Sequence, residues 1–244
     1  MRLLKALRFA LFSFCISGHD GALIFGRRKR EGFLEARERM VRDQLVARCI
    51  RDERVLAAMA HIPRHEFVPE CLQTRAYEDN PLPIGRNQTI SQPFIVARMS
   101  ELLQLGGDER VLEIGAGCGY QSAVLGHLAG EMCALELESE LAAIARKTLQ
   151  RVGVANVHLV QGDGFQPWPE GGHFDGILCA CAPLEPPAVL CAQLAPGGRL
   201  VLPIGPAGGS QELVCWERNS EGSLVSRSEG AVRFVPMRHP HFLS

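Results

Sequence analysis

The sequence predicts an α/β protein, a doubly wound and mostly parallel sheet preceded by an N-terminal helical extension. Beyond Pro93, short apolar runs alternate with helical segments, the pattern of a parallel sheet covered on both faces. One of those runs, Val111-Leu112-Glu113-Ile114, passes directly into Gly115-Ala116-Gly117-Cys118-Gly119, which puts bare backbone at the carboxyl end of a strand. Before Pro93, charged and apolar residues instead interleave at helical spacing.

Taken in chain order, residues 1–30 read as a leader, signal-like or disordered. Arg2, Lys5 and Arg8 precede the apolar run Phe9 to Ile16, with small residues at Cys15 and Ser17, an arrangement similar to a short secretory signal. The run falls short of the about 20 apolar residues that cross a bilayer. Translation from Met40 is the competing reading. The chain is therefore assigned to the cytoplasm, with export through the leader as the alternative and no stable membrane association. The basic run Arg27 to Arg30 reads as a solvated linker.

Residues 31–95 form the helical extension. Glu31 to Ile50 and Asp52 to His61 read as amphipathic helices, the first on Leu34, Met40, Val41, Leu45 and Val46, the second with Asp52 as N-cap. Pro63, Pro69, Pro81 and Pro83 predict mostly loop as far as Asn87.

Residues 96–244 form the core. Strands are expected at Arg110 to Ile114, Glu131 to Glu136, Val157 to Val160, Phe174 to Ala180 and Arg199 to Ile204. Helices are expected at Gln121 to Leu128, Ser139 to Val152 and Pro187 to Leu194. Glu212 to Glu217 and Ala231 to Val235 are expected as antiparallel edge strands, since the turn at Pro206 to Gly209 precedes them without a helix.

Hydrophobic residues at 46% and charged residues at 22% exclude a disordered adaptor. Lys plus Arg at 26 against Asp plus Glu at 27 lacks the basic footprint of a protein that holds a nucleic-acid backbone, so no nucleic-acid partner is expected. The nine cysteines read as reduced, small hydrophobes. Cys179 and Cys181 form a C-x-C pair with no second pair at zinc spacing, so no metal site is assigned.

Gly115 and Gly117 let the chain turn sharply and a ligand approach the main chain, and the helix that follows offers unpaired N–H groups. A nicotinamide-binding loop would need glycine at the position of Tyr120. The spelling from Glu113 through Gly115, Gly117 and Gly119 instead resembles the first motif of class I S-adenosylmethionine-dependent methyltransferases, which are Rossmann-like. Glu136, closing the next strand, stands where a carboxylate can accept both hydroxyls of a ribose. The resemblance implies that Asp163, in Gln161-Gly162-Asp163-Gly164, accepts from the adenine amino group and that Ile90 and Gly164 also border the cofactor.

The stretch from Leu82 to Pro93, with its Thr89-Ile90-Ser91-Gln92-Pro93 core, resembles the signature segment of protein-L-isoaspartate O-methyltransferases. The likeness runs from about Met40 onward and includes Pro63-Arg64-His65-Glu66-Phe67-Val68, Leu200 to Gly205 and Val232 to Pro236. It implies S-adenosylmethionine as methyl donor, isoaspartyl-containing proteins and peptides as substrates, and a monomer. Ser91 would orient the substrate carboxylate as the catalytic residue, and the main chain around Val235 would hold the peptide. On local sequence alone Ser91 reads more readily as the N-cap of a helix that begins near Pro93, and both roles can hold together. Two positions depart from the family pattern: Asn87 replaces a common glycine, and Cys179-Ala180-Cys181 replaces a Thr-Ala-Ala-like stretch. Two rivals stand beside this reading. One is a class I methyltransferase for a small molecule or RNA, which would not need Thr89 to Pro93. The other is a binding module that retains the fold without turnover.

Overall fold

A computed structural model describes residues 31–239 of the chain; the leader assigned to residues 1–30 lies outside them. The chain divides into two compact units, Met1–Glu35 and Ala36–Ser244. The sheet and the site both belong to the second.

Residues 31–40 are helical (α1) and lead into a π turn at Val41–Leu45 and a 3-10 turn at Val46–Arg48. The expected single helix is thus broken near its end, where Cys49 takes a left-handed φ of 67° and stops it. Met40 and Leu45 are buried, whereas Val46 is half exposed. Helix α2 (Glu53–His61) has Asp52 as N-cap, as expected: its carboxylate accepts from the amides of Arg54 and Val55.

Strands β1 (Leu82–Gly85) and β2 (Gln88–Ile90) pair antiparallel in a segment expected to be loop. The prolines are tolerated because this two-stranded sheet is all edge. Arg86 and Asn87 make its turn at φ 52° and 55°. Asn adopts that region more readily than most residues, which accounts for Asn87 in this turn.

Helix α3 (Pro93–Leu103) follows, then β3 (Arg110–Ile114), α4 (Tyr120–Gly126), β4 (Glu131–Glu136), α5 (Ser139–Arg151), β5 (Val157–Gln161), β6 (Phe174–Cys179), α6 (Ala188–Gln193), β7 (Leu194–Ile204), β8 (Gln211–Arg218) and β9 (Leu224–Val232). The strands form one sheet in the order β5-β4-β3-β6-β7-β8-β9. The pairs from β5 across to β7 are parallel, and β8 and β9 add antiparallel. The last strand lies earlier in the chain than Ala231 to Val235. The turn near Asn219 and Gly222 folds Leu224–Val232 back along β8, and Arg233 to Val235 continue past the sheet. The core of the sheet joins Leu112, Ile114, Cys133, Leu135, Ile177 and Leu200 to Trp168 and Phe174, which explains the unbroken apolar runs of strands covered on both faces.

The chain leaves β3 towards β4 and β5, then returns to the other side of β3 as β6. This reversal leaves a crevice at the carboxyl ends of β3 and β6, where open α/β sheets take their ligands.

Candidate active site

The crevice is a cleft lined by the loop after β3, the ends of β4 and β6, the β2–α3 link and the segment from Val235 to Arg238. Of the residues singled out in the sequence, Ile90, Ser91, Glu113, Gly115, Gly117, Glu136, Gly164 and Val235 line it. Gly119 and Asp163 do not. Gly119 caps α4 at φ 87°, and a Cβ there would press on Ala145 and Leu149, so this glycine serves helix packing. The carboxylate of Asp163 accepts from the Phe165 amide at 2.9 Å and lies 3.3 Å from His239 Nδ1, while its neighbours Gly162 and Gly164 face the cleft.

Bare backbone is required where the wall is thinnest. A Cβ on Gly164 would overlap the side chain of Ile114, and one on Gly117 would come within 3.2 Å of Ile84. Glu136, at the end of β4, accepts from the amides of Gly117 at 2.7 Å and Glu138 at 2.9 Å, which ties the glycine loop to the β4–α5 turn. Burial raises its pKa, and those two N–H bonds oppose the rise.

Glu113 is fully buried at the end of β3. One of its oxygens accepts from Ser122, and the other, Oε1, has no partner among the described residues. Burial pushes its carboxyl up to about 7, opposed by the Ser122 hydroxyl and reinforced by Glu136. A buried acid with one free oxygen beside a second acid, in a cleft floored by glycine, suits a nucleoside that carries positive charge; S-adenosylmethionine is such a group, and these residues fit it. The folded chain holds the Glu113 proton more tightly than the unfolded one, whose model value is 4.5. The stability tied to that proton is therefore full below the unfolded value and is lost as pH rises through about 7. Without cofactor, the wild type should lose on the order of 3 kcal/mol between about pH 5 and about pH 8.5 on this account, and Glu113→Gln should retain it. Urea melts at the two pH values check this; equal pH dependence in both proteins would contradict it.

Ser91 sits between β2 and α3, but not as a helix cap. Gln92 is the residue before Pro93, no side chain caps α3, and the Ser91 hydroxyl makes no hydrogen bond among the described residues. The cap reading is thereby corrected. Pro93 removes one of the N–H groups that would otherwise need capping. Val235 lies opposite, where its carbonyl accepts from Ala182 at 2.8 Å and the Met237 amide donates to Ala182 at 2.9 Å. Beside the cleft runs a second groove between Phe94, Arg98, Leu213 and Phe234, and Thr89, Ser91, Ala180 and Val235 belong to both.

In the substituted stretch, Cys181 borders the cleft, Cys179 is buried, and their sulfurs lie 3.5 Å apart. No disulfide joins the described cysteines. Sequence reasoning gave Arg64 no role, yet it is among the largest fully buried side chains. Its Nε donates to the Ala76 carbonyl and its Nη2 to the Ser91 carbonyl, both at 2.7 Å. Nothing in the run from Pro63 to Val68 marks it in the sequence, and only the fold brings it to Ser91.

The protein-L-isoaspartate(D-aspartate) O-methyltransferase family matches this chain over residues 35–241. Protein-L-isoaspartate O-methyltransferase 2 of Marinobacter nauticus is 54% identical over 203 residues, which span 83% of this chain and 93% of that protein. Protein-L-isoaspartate O-methyltransferase of Myxococcus xanthus is 50% identical over 197 residues, 80% of this chain and 93% of its own. Among solved structures, a protein-L-isoaspartate O-methyltransferase superposes with a TM-score of 0.74 at 28% identity, covering 84% of this chain and 66% of its own. A Plasmodium falciparum protein solved with S-adenosyl-L-homocysteine shares the fold, with a TM-score of 0.71 at 23% identity over 83% of this chain and 98% of its own. The glycine loop and the Thr89 to Pro93 segment both fall inside the matched residues, and the chain belongs to the protein-L-isoaspartate(D-aspartate) O-methyltransferase family of class I S-adenosylmethionine-dependent enzymes.

Proposed function

We propose that this chain methylates the free carboxylate of isoaspartyl residues in damaged proteins, using S-adenosylmethionine, and so starts their repair. The observation that carries the reading is the wall shared by cleft and groove. Ser91 and Val235 line both the glycine-floored cleft and the groove beside it, which supports a methyl donor in the one and a peptide in the other.

Bound S-adenosylmethionine supplies an electrophilic methyl group on a sulfonium. An isoaspartyl α-carboxylate, with an ordinary pKa of about 3.5, is already ionised at neutral pH and needs no general base. The chain's task is to align the carboxylate with the methyl group and to exclude water. In this proposal Glu136 accepts the ribose hydroxyls and Asp163 the adenine amino group. Glu113, whose carboxyl is pushed up to about 7, would give up its proton on binding a cationic donor and then add negative potential, while Ile90, Gly115, Gly117 and Gly164 shape the wall and Gly119 sets the loop against α5. Ser91 orients the substrate carboxylate through one hydrogen bond, which leaves it nucleophilic where an arginine clamp would not. With its carbonyl taken by Ala182, Val235 offers its N–H edge to the peptide. The neighbouring peptide nitrogen then attacks the ester carbonyl, losing its proton and expelling the methoxy group as methanol, to give a succinimide, which hydrolyses partly to normal aspartate.

The same proposal has residues 31–95 carry the substrate segment and residues 96–244 the cofactor core. It has the protein act in the cytoplasm as a monomer, with no nucleic-acid partner and no stable membrane association. The near-neutral charge balance supports it, and among the described residues no helix is long and apolar enough to cross a membrane. Offering isoaspartyl peptide, its aspartyl isomer and RNA side by side with labelled methyl donor tests the substrate. Label in the isoaspartyl peptide alone is expected; label in RNA, or binding without turnover, would favour the rival readings.

A further inference from the structure

We propose that Arg64 is a positioning residue for methyl transfer, its buried guanidinium fixing the backbone of Ser91 at the wall between cleft and groove. The inference rests on the reading of Ser91 as the holder of the substrate carboxylate.

Arg64 is 0% exposed, and no carboxylate pairs with it among the described residues. Its donors go to two carbonyls, Ala76 and Ser91, and its Nη1 has no partner among the described residues. The guanidinium carbon also lies 4.9 Å from the centre of the Tyr120 ring, and Tyr120 lines the cleft. Burying a cation against two carbonyls and one aromatic ring, with no carboxylate, costs free energy that a methionine of similar length would avoid. The arrangement is therefore a poor way to fill a core and a good way to fix a backbone.

The Ser91 carbonyl that Arg64 holds accepts no other hydrogen bond among the described residues. Ser91 and Gln92 link β2 to α3, with no side-chain cap on the helix and no hydrogen bond from the Ser91 hydroxyl among the described residues. The Gln92 carbonyl accepts from the Ile95 and Val96 amides in the first turn of α3, and its side chain donates to the exposed Asp79 at 3.2 Å. Arg64 supplies the buried tether, and the planar fork of an arginine can join two carbonyls in fixed relation where a lysine would hold one. It also sets a positive charge behind the loop that would face an anionic nucleophile, without touching that nucleophile and lowering its reactivity.

Arg64→Met, Arg64→Lys, Ser91→Ala and the double variant Arg64→Met/Ser91→Ala distinguish this from a packing role. For each, the melting temperature, S-adenosylhomocysteine affinity by calorimetry, and kcat and KM for an isoaspartyl peptide are measured per folded molecule. Arg64→Met should lower kcat/KM about 100-fold, the scale of a misplaced reacting group. Its S-adenosylhomocysteine affinity should change by less than about threefold, a factor smaller than one ordinary hydrogen bond. Arg64→Lys should recover part of the loss. In the Ser91→Ala background the Arg64→Met loss should shrink, since a missing hydroxyl cannot be misplaced.

A lower melting temperature with wild-type kcat/KM in the Arg64 variants would overturn the proposal, and so would an undiminished loss in the double variant. If Arg64→Met does not fold, Arg64→Lys decides. Faster amide exchange over residues 86–92 with a reduced kcat/KM supports positioning; wild-type kinetics refute it. A slow Ser91→Ala beside normal Arg64 variants sinks this proposal alone. A fully active Ser91→Ala sinks the reading of Ser91, and the proposal with it.

Discussion

Ser91→Ala is expected to slow methyl transfer by about 30-fold to 1000-fold, the loss of roughly 2–4 kcal/mol of transition-state stabilisation that follows removal of one orienting donor. Affinity for S-adenosylhomocysteine should stay nearly intact, because the hydroxyl's proposed partner is the isoaspartyl carboxylate. A helix cap would predict the reverse, a stability loss of about 0.5–2 kcal/mol with turnover preserved. The structure removes the basis for that alternative, since no side chain caps α3 and the residue before Pro93 is Gln92. The melting temperature should therefore move little. Single-turnover rates and thermal melts on the same variant check both halves; full activity would leave the carboxylate needing another holder.

Glu136→Ala should weaken S-adenosylmethionine binding by about 150-fold or more, since two hydrogen bonds to a charged acceptor are lost at about 1.5–3 kcal/mol each. The variant also orphans the amides of Gly117 and Glu138, so part of its effect is a loosened glycine loop. Glu136→Gln separates the two causes. Its amide oxygen can keep one of those N–H bonds, but it cannot accept from two hydroxyls as a carboxylate does. Calorimetry should place Glu136→Gln between wild type and Glu136→Ala. Unchanged affinity in Glu136→Ala would mean that the ribose lies elsewhere.

The parts of the fold legible in the sequence are those whose neighbours in space are also neighbours in pattern. Strands β3 to β6 announce themselves as apolar runs because both faces of the sheet are covered, and Asp52 is visible as a cap because its partners lie two and three residues on. The β1–β2 hairpin is not visible, since Pro81 and Pro83 argue for loop and only the pairing of Leu82 with Ile90 makes strands of them. The last strand was misplaced for a similar reason. Leu224–Val232 lacks a clean alternation because most of it is exposed at the edge, and of the strand expected at Ala231 to Val235 only Ala231 and Val232 belong to it.

At the site, the glycine spacing located the cleft, and Glu113 and Glu136 line it because a residue ending a parallel strand has only one place to be. Asp163 was harder, for a residue in a loop can turn to its own amides, as it does towards Phe165. Arg64 was out of reach, because its role depends on carbonyls 12 and 27 residues away.

The most direct test of the central claim follows one isoaspartyl peptide and S-adenosylmethionine through the reaction by chromatography and mass spectrometry, with the aspartyl isomer as control. The account predicts a methyl ester on the isoaspartyl α-carboxylate, then succinimide, then accumulating aspartyl peptide, and no ester on the control. Esterification of both isomers alike, or of neither while S-adenosylmethionine binds, would contradict it.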